Sequence, residues 1–211
     1  MCAVPAEHIA SPRLFRTYKT KRPNYNPTIV EAARATSAAP TFFKPIDIGG
    51  SVKERFVDGG LGCNNPSDRV IREAMEEFGS DLNRQVACIV SIGTGMRNVI
   101  GLGSPTGMKR VLPTDLMDAL AKISTETETV ADTMKKRFIN CPGLYSRLNV
   151  DAGLETVELG AWEHLPGVKT HTTSYLEKDE VDKMIELIVQ GLLGNAVKSY
   201  PLSHLGTSIA Q

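Results

Sequence analysis

An aspartate followed at once by two glycines, in Val57-Asp58-Gly59-Gly60, closes a segment from Lys53 to Val57 that reads as a short strand. At the carboxyl end of a strand in an α/β sheet, a side chain points into the crevice where such folds place ligands. Asp58 sits at that position. Gly59, Gly60 and Gly62 remove side chains that would block approach and permit a sharp, positive-φ exit from the strand. Asn64 and Asn65 add amides, and the helix opening at Pro66 brings backbone N–H groups able to hold a carboxylate or polarise a substrate oxygen. Taken alone, a strand-end aspartate before glycines is also the pattern of a turn former.

The elements around these residues follow from local pattern. Residues 13 to 27 are rich in Arg, Lys, Asn and Pro and read as a loop. Thr28 and Glu31 fit a capping box, in which hydroxyl and carboxylate each satisfy an orphan backbone N–H. The helix it opens runs from Glu31 through Ala39 and stops at Pro40, and its Ala, Ser and Thr surface suits close packing on a sheet. Asn65 as N-cap, Pro66 at the first helical position and Asp68 in the first turn open a second helix. Val70, Ile71, Ala74, Met75 and Phe78 fall on one of its faces, and Gly79 stops it. Val86 to Ile92 is a near-continuous apolar run, as expected of a strand covered on both faces, ended by Gly93-Thr94-Gly95. Strand, helix and strand in this order form a βαβ unit and point to a doubly wound α/β architecture.

Further on, Gly101 to Pro113 reads as a loop. From Thr114 a long helix carries Leu116, Leu120, Ile123, Thr127, Val130, Met134 and Phe138 as one packing stripe. Leu144 to Val150 alternates like a strand, Trp162 to Leu165 makes a short turn of helix, and a last amphipathic helix covers about Val181 to Leu193. The segment 199–211 is expected to be a loosely ordered tail, and 1–198 a single α/β domain.

The 211 residues carry 24 basic and 24 acidic side chains, so no net field draws a polyphosphate, and nucleic acid is not an expected partner. Lys19 to Arg22 and Lys135 to Arg137 are too short to track a phosphate backbone and read as a solvated face or a helix end. Cys2, Cys63, Cys88 and Cys141 are far apart and show no zinc-ligand spacing, which points to reduced thiols and a cytoplasmic setting. No apolar run approaches the roughly 20 residues needed to span a bilayer.

Three segments in order, Glu31 to Pro40 (EAARATSAAP), Phe56 to Pro66 (FVDGGLGCNNP) and Ser91 to Gly95 (SIGTG), resemble the patatin-like phospholipase family. Leu14 to Tyr18, Tyr145 to Val150 and His171 to Leu176 extend the likeness toward its form in multidomain fungal proteins, over about Arg13 to Leu193. The resemblance implies a three-layer α/β fold, a mainly parallel sheet with helices on both faces. It also implies a Ser–Asp dyad that hydrolyses acyl esters of lipids, without histidine, metal or other cofactor. By that resemblance Asp58 is the dyad base, with Gly59, Gly60, Asn64 and Asn65 at the edge of the active site. An ordinary aspartate, with a pKa of about 3.9, is a feeble base toward a hydroxyl, so its site is expected to be partly desolvated.

The family's serine sits on a Gly-x-Ser-x-Gly turn behind a glycine-rich oxyanion loop, and neither motif occurs in this chain. Both lie N-terminal to the aspartate motif in the family, and Cys2-Ala3-Val4 looks like the end of an internal strand. The chain is therefore expected to be the C-terminal portion of a domain incomplete at its N-terminus, without esterase activity alone, because oxyanion donors worth about 3 to 4 kcal/mol are missing with the nucleophile. Ser37, within the small-residue helix, and Ser91, within a strand, lack elbow geometry.

Three other readings compete. An α/β-hydrolase order would use His164 or His171 after Asp58, whereas these histidines fit structural roles better. A nucleotide loop at Gly93-Thr94-Gly95 or Gly101-Leu102-Gly103 fails the fuller glycine pattern. A noncatalytic remnant would bind lipid or a partner domain, whereas a truncated gene product would have no separate function; an uncovered sheet edge would then invite association. The expected partners are thus a lipid acyl ester or a membrane surface met peripherally, the missing N-terminal segment, or a second copy.

Overall fold

A computed structural model describes residues 1–20, 25–40, 42–79, 85–96, 114–155, 157, 160–195, 199–201 and 205. The chain is of α/β type and divides into two compact units, Met1–Pro66 with Gly103–Thr129, and Ser67–Leu102 with Val130–Gln211.

In the first unit, β1 (Cys2–Pro5), β2 (Arg13–Leu14), β3 (Ile46–Gly49) and β4 (Lys53–Asp58) form a sheet of order β2-β1-β4-β3. Every neighbouring pair in it is antiparallel. β3 and β4 form a hairpin in which Gly49 has a φ of +138°, and a Cβ there would lie 2.5 Å from the Val52 carbonyl oxygen, so only glycine fits. Helix α1 (Ile29–Thr36) lies against β1, β3 and β4. Thr28 and Glu31 form the expected capping box: Thr28 Oγ1 accepts from Glu31 N at 3.2 Å, and Glu31 Oε2 accepts from Thr28 N at 2.8 Å. The helix ends at Thr36, three residues before the expected Ala39, where Ser37 Oγ donates back to the Ala33 carbonyl.

The small residues of α1 do what their size permits. Ala32 and Ala35 are buried with Ala3, Phe15, Ile48 and Phe56 in one core. Phe56 is fully buried and meets the rings of Phe15 and Tyr25 edge-on at 5.4 and 5.6 Å. Burial of such a ring stabilises by about 1.5–3 kcal/mol. A short helix, α2 (Gly60–Cys63), follows β4 directly.

The second unit holds α3 (Ser67–Phe78), β5 (Gln85–Val86), β6 (Ile89–Ile92) and β7 (Tyr145–Leu148). Helix α4 (Thr114–Arg137) contributes its residues through Thr129 to the first unit and the rest to the second. After a 3-10 turn at Trp162–His164 come α5 (Leu165–Leu176), α6 (Asp179–Leu192) and β8 (Tyr200–Pro201). Ile71, Met134, Phe138, Cys141, Leu144 and Leu205 form one core, and Val150, Leu154, Tyr175 and Val181 another.

Several expectations are corrected. The sheet expected to be mainly parallel is antiparallel in the first unit, and among the described residues only β6 and β7 pair in parallel. β4 and β6 therefore belong to different sheets instead of one βαβ unit. The apolar run Val86 to Ile92 is two strands, because β5 pairs with β8 while β6 pairs with β7. The stripe on α3 is only partly a core face: Ile71 is buried, but Val70 is 58% and Phe78 41% exposed. What was read as a short turn at Trp162 leads into a twelve-residue helix, α5. Arg13 and Leu14, read as loop, add a strand to β1. Within the segment 199–211, Tyr200 and Pro201 pair with Val86 and Gln85 and Leu205 is buried, while residues 202–204 and 206–211 lie outside the described residues. The loop read over Gly101 to Pro113 lies outside the described residues.

Candidate active site

Asp58 is the last residue of β4, with its Cα opposite Ala3 of β1. Its backbone is fixed by the end of α1 and the residues just after it as well as by the sheet: Asp58 N donates to the Ala38 carbonyl at 3.1 Å, and Gly59 N to the Thr36 carbonyl at 3.4 Å. Its carboxylate is half-buried and accepts from Gly60 N at 2.6 Å. Burial pushes the Asp58 pKa above the ordinary carboxylate value, opposed by the Gly60 hydrogen bond, which favours the ionised form. Desolvation prevails, and the group binds a proton more tightly than an exposed aspartate does. That is the direction a general base toward a hydroxyl requires.

The glycines are explained by proximity, not by the positive φ expected of them. Gly59 has a φ of −61°. A Cβ on Gly59 would sit 2.4 Å from the Cys2 carbonyl oxygen, and one on Gly62 2.6 Å from that of Ile9. On Gly60 it would come within 2.9 Å of Asp58 Oδ1 and 3.3 Å of Asn64 Oδ1. Asp58, Gly60 and Asn64 are thus gathered about one tight turn.

Asn64 and Asn65 follow α2 and turn their amides toward α4. Asn64 Nδ2 donates to Thr127 Oγ1 at 2.9 Å, and Asn65 Nδ2 to the Thr127 carbonyl at 3.2 Å. The Thr127 hydroxyl donates in turn to the Ile123 carbonyl at 2.8 Å. Sequence reading counted Thr127 only as a member of a packing stripe. A hydroxyl in an otherwise apolar stripe was the available signal. A hollow of about 670 Å3 lies along β3 and β4 beside Glu7, Tyr25 and Asp47, and Asp58 does not line it.

The competing residues are occupied elsewhere. Ser91 is buried, and its Oγ accepts from Arg147 at 2.8 Å and from Ser67 Oγ at 3.1 Å. Ser37 donates within its own helix turn. Gly93 and Gly95 form a turn packed on side chains: a Cβ on Gly93 would meet Asn149 Oδ1 at 2.2 Å, and one on Gly95 would meet Leu154 at 2.8 Å. Gly95 N donates to Asn149 Oδ1 at 2.8 Å. The space a phosphate would need is filled by protein. His171 lies beside Gly153 in the second unit, where a Cβ on that glycine would clash with its ring.

Residues 5–71 match the sequence model of the family described as Patatin-like phospholipase. That span includes Asp58, both asparagines and the whole of α1. The chain is 30% identical to Patatin-like protein 2 of Arabidopsis thaliana over 167 residues, 66% of this chain and 40% of that protein. It is 32% identical to the 85/88 kDa calcium-independent phospholipase A2 of Mus musculus over 99 residues, 42% of this chain and 11% of that one. With the cGAMP-activated phospholipase of Escherichia coli (strain TW11681) it shares 40% identity over 68 residues, 31% of this chain and 19% of that one. No solved structure matches. The resemblance to the patatin-like phospholipase family is thereby shown, by the match over residues 5–71 and by these relatives. The chain spans less than half the length of each of these relatives.

Proposed function

We propose that this chain supplies the aspartate of a Ser–Asp hydrolase acting on acyl esters of lipids, with Asp58 as the base. The serine and oxyanion donors would come from a patatin segment that its 211 residues do not contain. The observation that carries this reading is the half-buried carboxylate of Asp58, of raised proton affinity and tethered to Gly60, within the span that matches the family. As the serine Oγ attacks the acyl carbonyl, Asp58 accepts the hydroxyl proton and then delivers it to the leaving alcohol. Water cleaves the acyl-enzyme by the same proton route in reverse. Gly59 and Gly60 keep the approach open, and Asn64 and Asn65 brace the turn. With that segment the domain would gain the further strands of a three-layer fold; without it, hydrolysis is absent.

The setting is cytoplasmic and peripheral to a lipid surface. Ile29, Val30, Phe42 and Phe43 support the second point, since all four are more than half exposed on the first unit. The Arg34 guanidinium lies 5.9 Å from the Phe43 ring centroid, adding a cation at that face.

The test is hydrolysis of a fluorogenic phospholipid by the chain alone and by the chain fused behind the Gly-x-Ser-x-Gly segment of Patatin-like protein 2. The expected result is no turnover alone and turnover in the fusion that Asp58→Asn abolishes. Turnover by the chain alone, or a fusion indifferent to Asp58→Asn, sinks the reading. A folded fusion with no turnover favours the noncatalytic remnant.

A further inference from the structure

We propose that Cys2 and Cys63 are a redox-convertible dithiol, a modification site at which a peroxide forms a disulfide that clamps α2 onto β1. Their Sγ atoms are 3.2 Å apart across 61 residues of sequence. A disulfide bond is about 2.05 Å long, so closure asks for a movement of little more than 1 Å. The backbone imposes this proximity. Cys2 is held in β1 opposite Leu14, and its carbonyl accepts from Thr36 Oγ1 at 2.6 Å. Cys63 is brought there because Gly59 and Gly62 have no side chains, which lets α2 rest on the carbonyls of Cys2 and Ile9.

The two sulfurs differ in access. Cys2 is partly exposed, whereas Cys63 is buried. The Cys2 thiolate attacks hydrogen peroxide, gaining a sulfenic acid as the O–O bond breaks and hydroxide leaves. The Cys63 thiolate then displaces hydroxide from that sulfur, and the net reaction is two thiols plus one peroxide to one disulfide plus two waters. Cytosolic disulfides of this kind are typically transient and redox-sensing. Cys141, buried among Ile71, Met134 and Leu144, and Cys88, against Gly191, serve as internal controls. Because α2 begins at the N–H that holds Asp58, the crosslink tightens that turn. The disulfide itself does not depend on Asp58 being a catalytic base.

The whole chain is treated with hydrogen peroxide, digested without reduction and mapped by mass spectrometry. The expected result is a 2 Da loss located in a Cys2–Cys63 peptide, reversed by dithiothreitol and absent from Cys63→Ser. Amide exchange over residues 58–66 should slow in the oxidised protein, and Tm should rise by roughly 5–10 °C. Linkage through Cys88 or Cys141, sulfinic acid on unlinked thiols, or unchanged exchange over 58–66 would overturn the proposal. The peptide map is read on the unmodified sequence, so it decides the matter even if Cys63→Ser does not fold.

Discussion

Gly60 binds the residue two places before it: its backbone N–H donates to Asp58 Oδ1 at 2.6 Å, and the space its Cβ would fill is bordered by that same oxygen. One glycine thus orients the carboxylate and leaves it uncovered. The hydrogen bond lowers the proton affinity that burial raises, and burial is the stronger of the two.

Asp58→Asn keeps the acceptor for Gly60 and removes the charge. A carboxyl whose folded pKa is raised contributes stability that is fully present below the unfolded value, near 3.9, and is lost as pH rises through the folded value. The variant lacks that loss. Its Tm should equal that of the parent at low pH and exceed it slightly above the raised pKa, the effect being muted because solvent screens the exposed half of the group. Paired thermal melts between pH 3 and 8 check this, and a parent that gains stability relative to Asp58→Asn as pH rises would contradict it.

Gly59→Ala drives a methyl to 2.4 Å from the Cys2 carbonyl oxygen, main chain that β1 cannot easily move. The expected cost is about 2–3 kcal/mol. Urea unfolding followed by circular dichroism measures it, and a change under 0.5 kcal/mol would show that the strand gives way.

Ser91→Ala should leave a reconstituted hydrolase with its activity and cost about 1–3 kcal/mol, since Arg147 and Ser67 lose a buried partner. Denaturation together with ester turnover separates the two effects. Loss of turnover at unchanged stability would make Ser91 chemical.

Thr127→Val preserves shape and removes the hydroxyl that accepts from Asn64. The expected destabilisation is about 0.5–1.5 kcal/mol, with faster amide exchange around Asn64 and Asn65. Exchange unchanged at those residues would detach α4 from the turn after α2.

Local chemistry was legible where it was sufficient. The α1 cap, the end of β4 at Asp58 and the start of α3 after Pro66 depend on side chains within four residues of one another. Strand partners depend on residues far away in sequence. Ala3 pairs with Asp58, and Gln85 pairs with Pro201, so neither sheet order nor strand direction could be read from the apolar run alone. Helix α5 was missed because Thr170, His171, Thr172, Thr173 and Ser174 show neither strong helix propensity nor an apolar stripe. Gly59 was expected to supply a positive φ, but the need for glycine there comes from a neighbouring carbonyl that only the fold supplies.

The end of α1 and the residues just after it grip two adjacent strands by their main chain, through Thr36 on Cys2 of β1 and on Gly59 just past β4, and through Ala38 on Asp58 of β4. Substitutions along the outer side of that helix, at Ile29 or Ala33, can therefore accumulate without displacing the acid. Thr36 has no such latitude, because its hydroxyl and carbonyl serve different strands. The tolerance of this helix to mutation should fall abruptly toward its carboxyl end, which makes its last residues a sharper signature of an intact acid site than the apolar pattern before them.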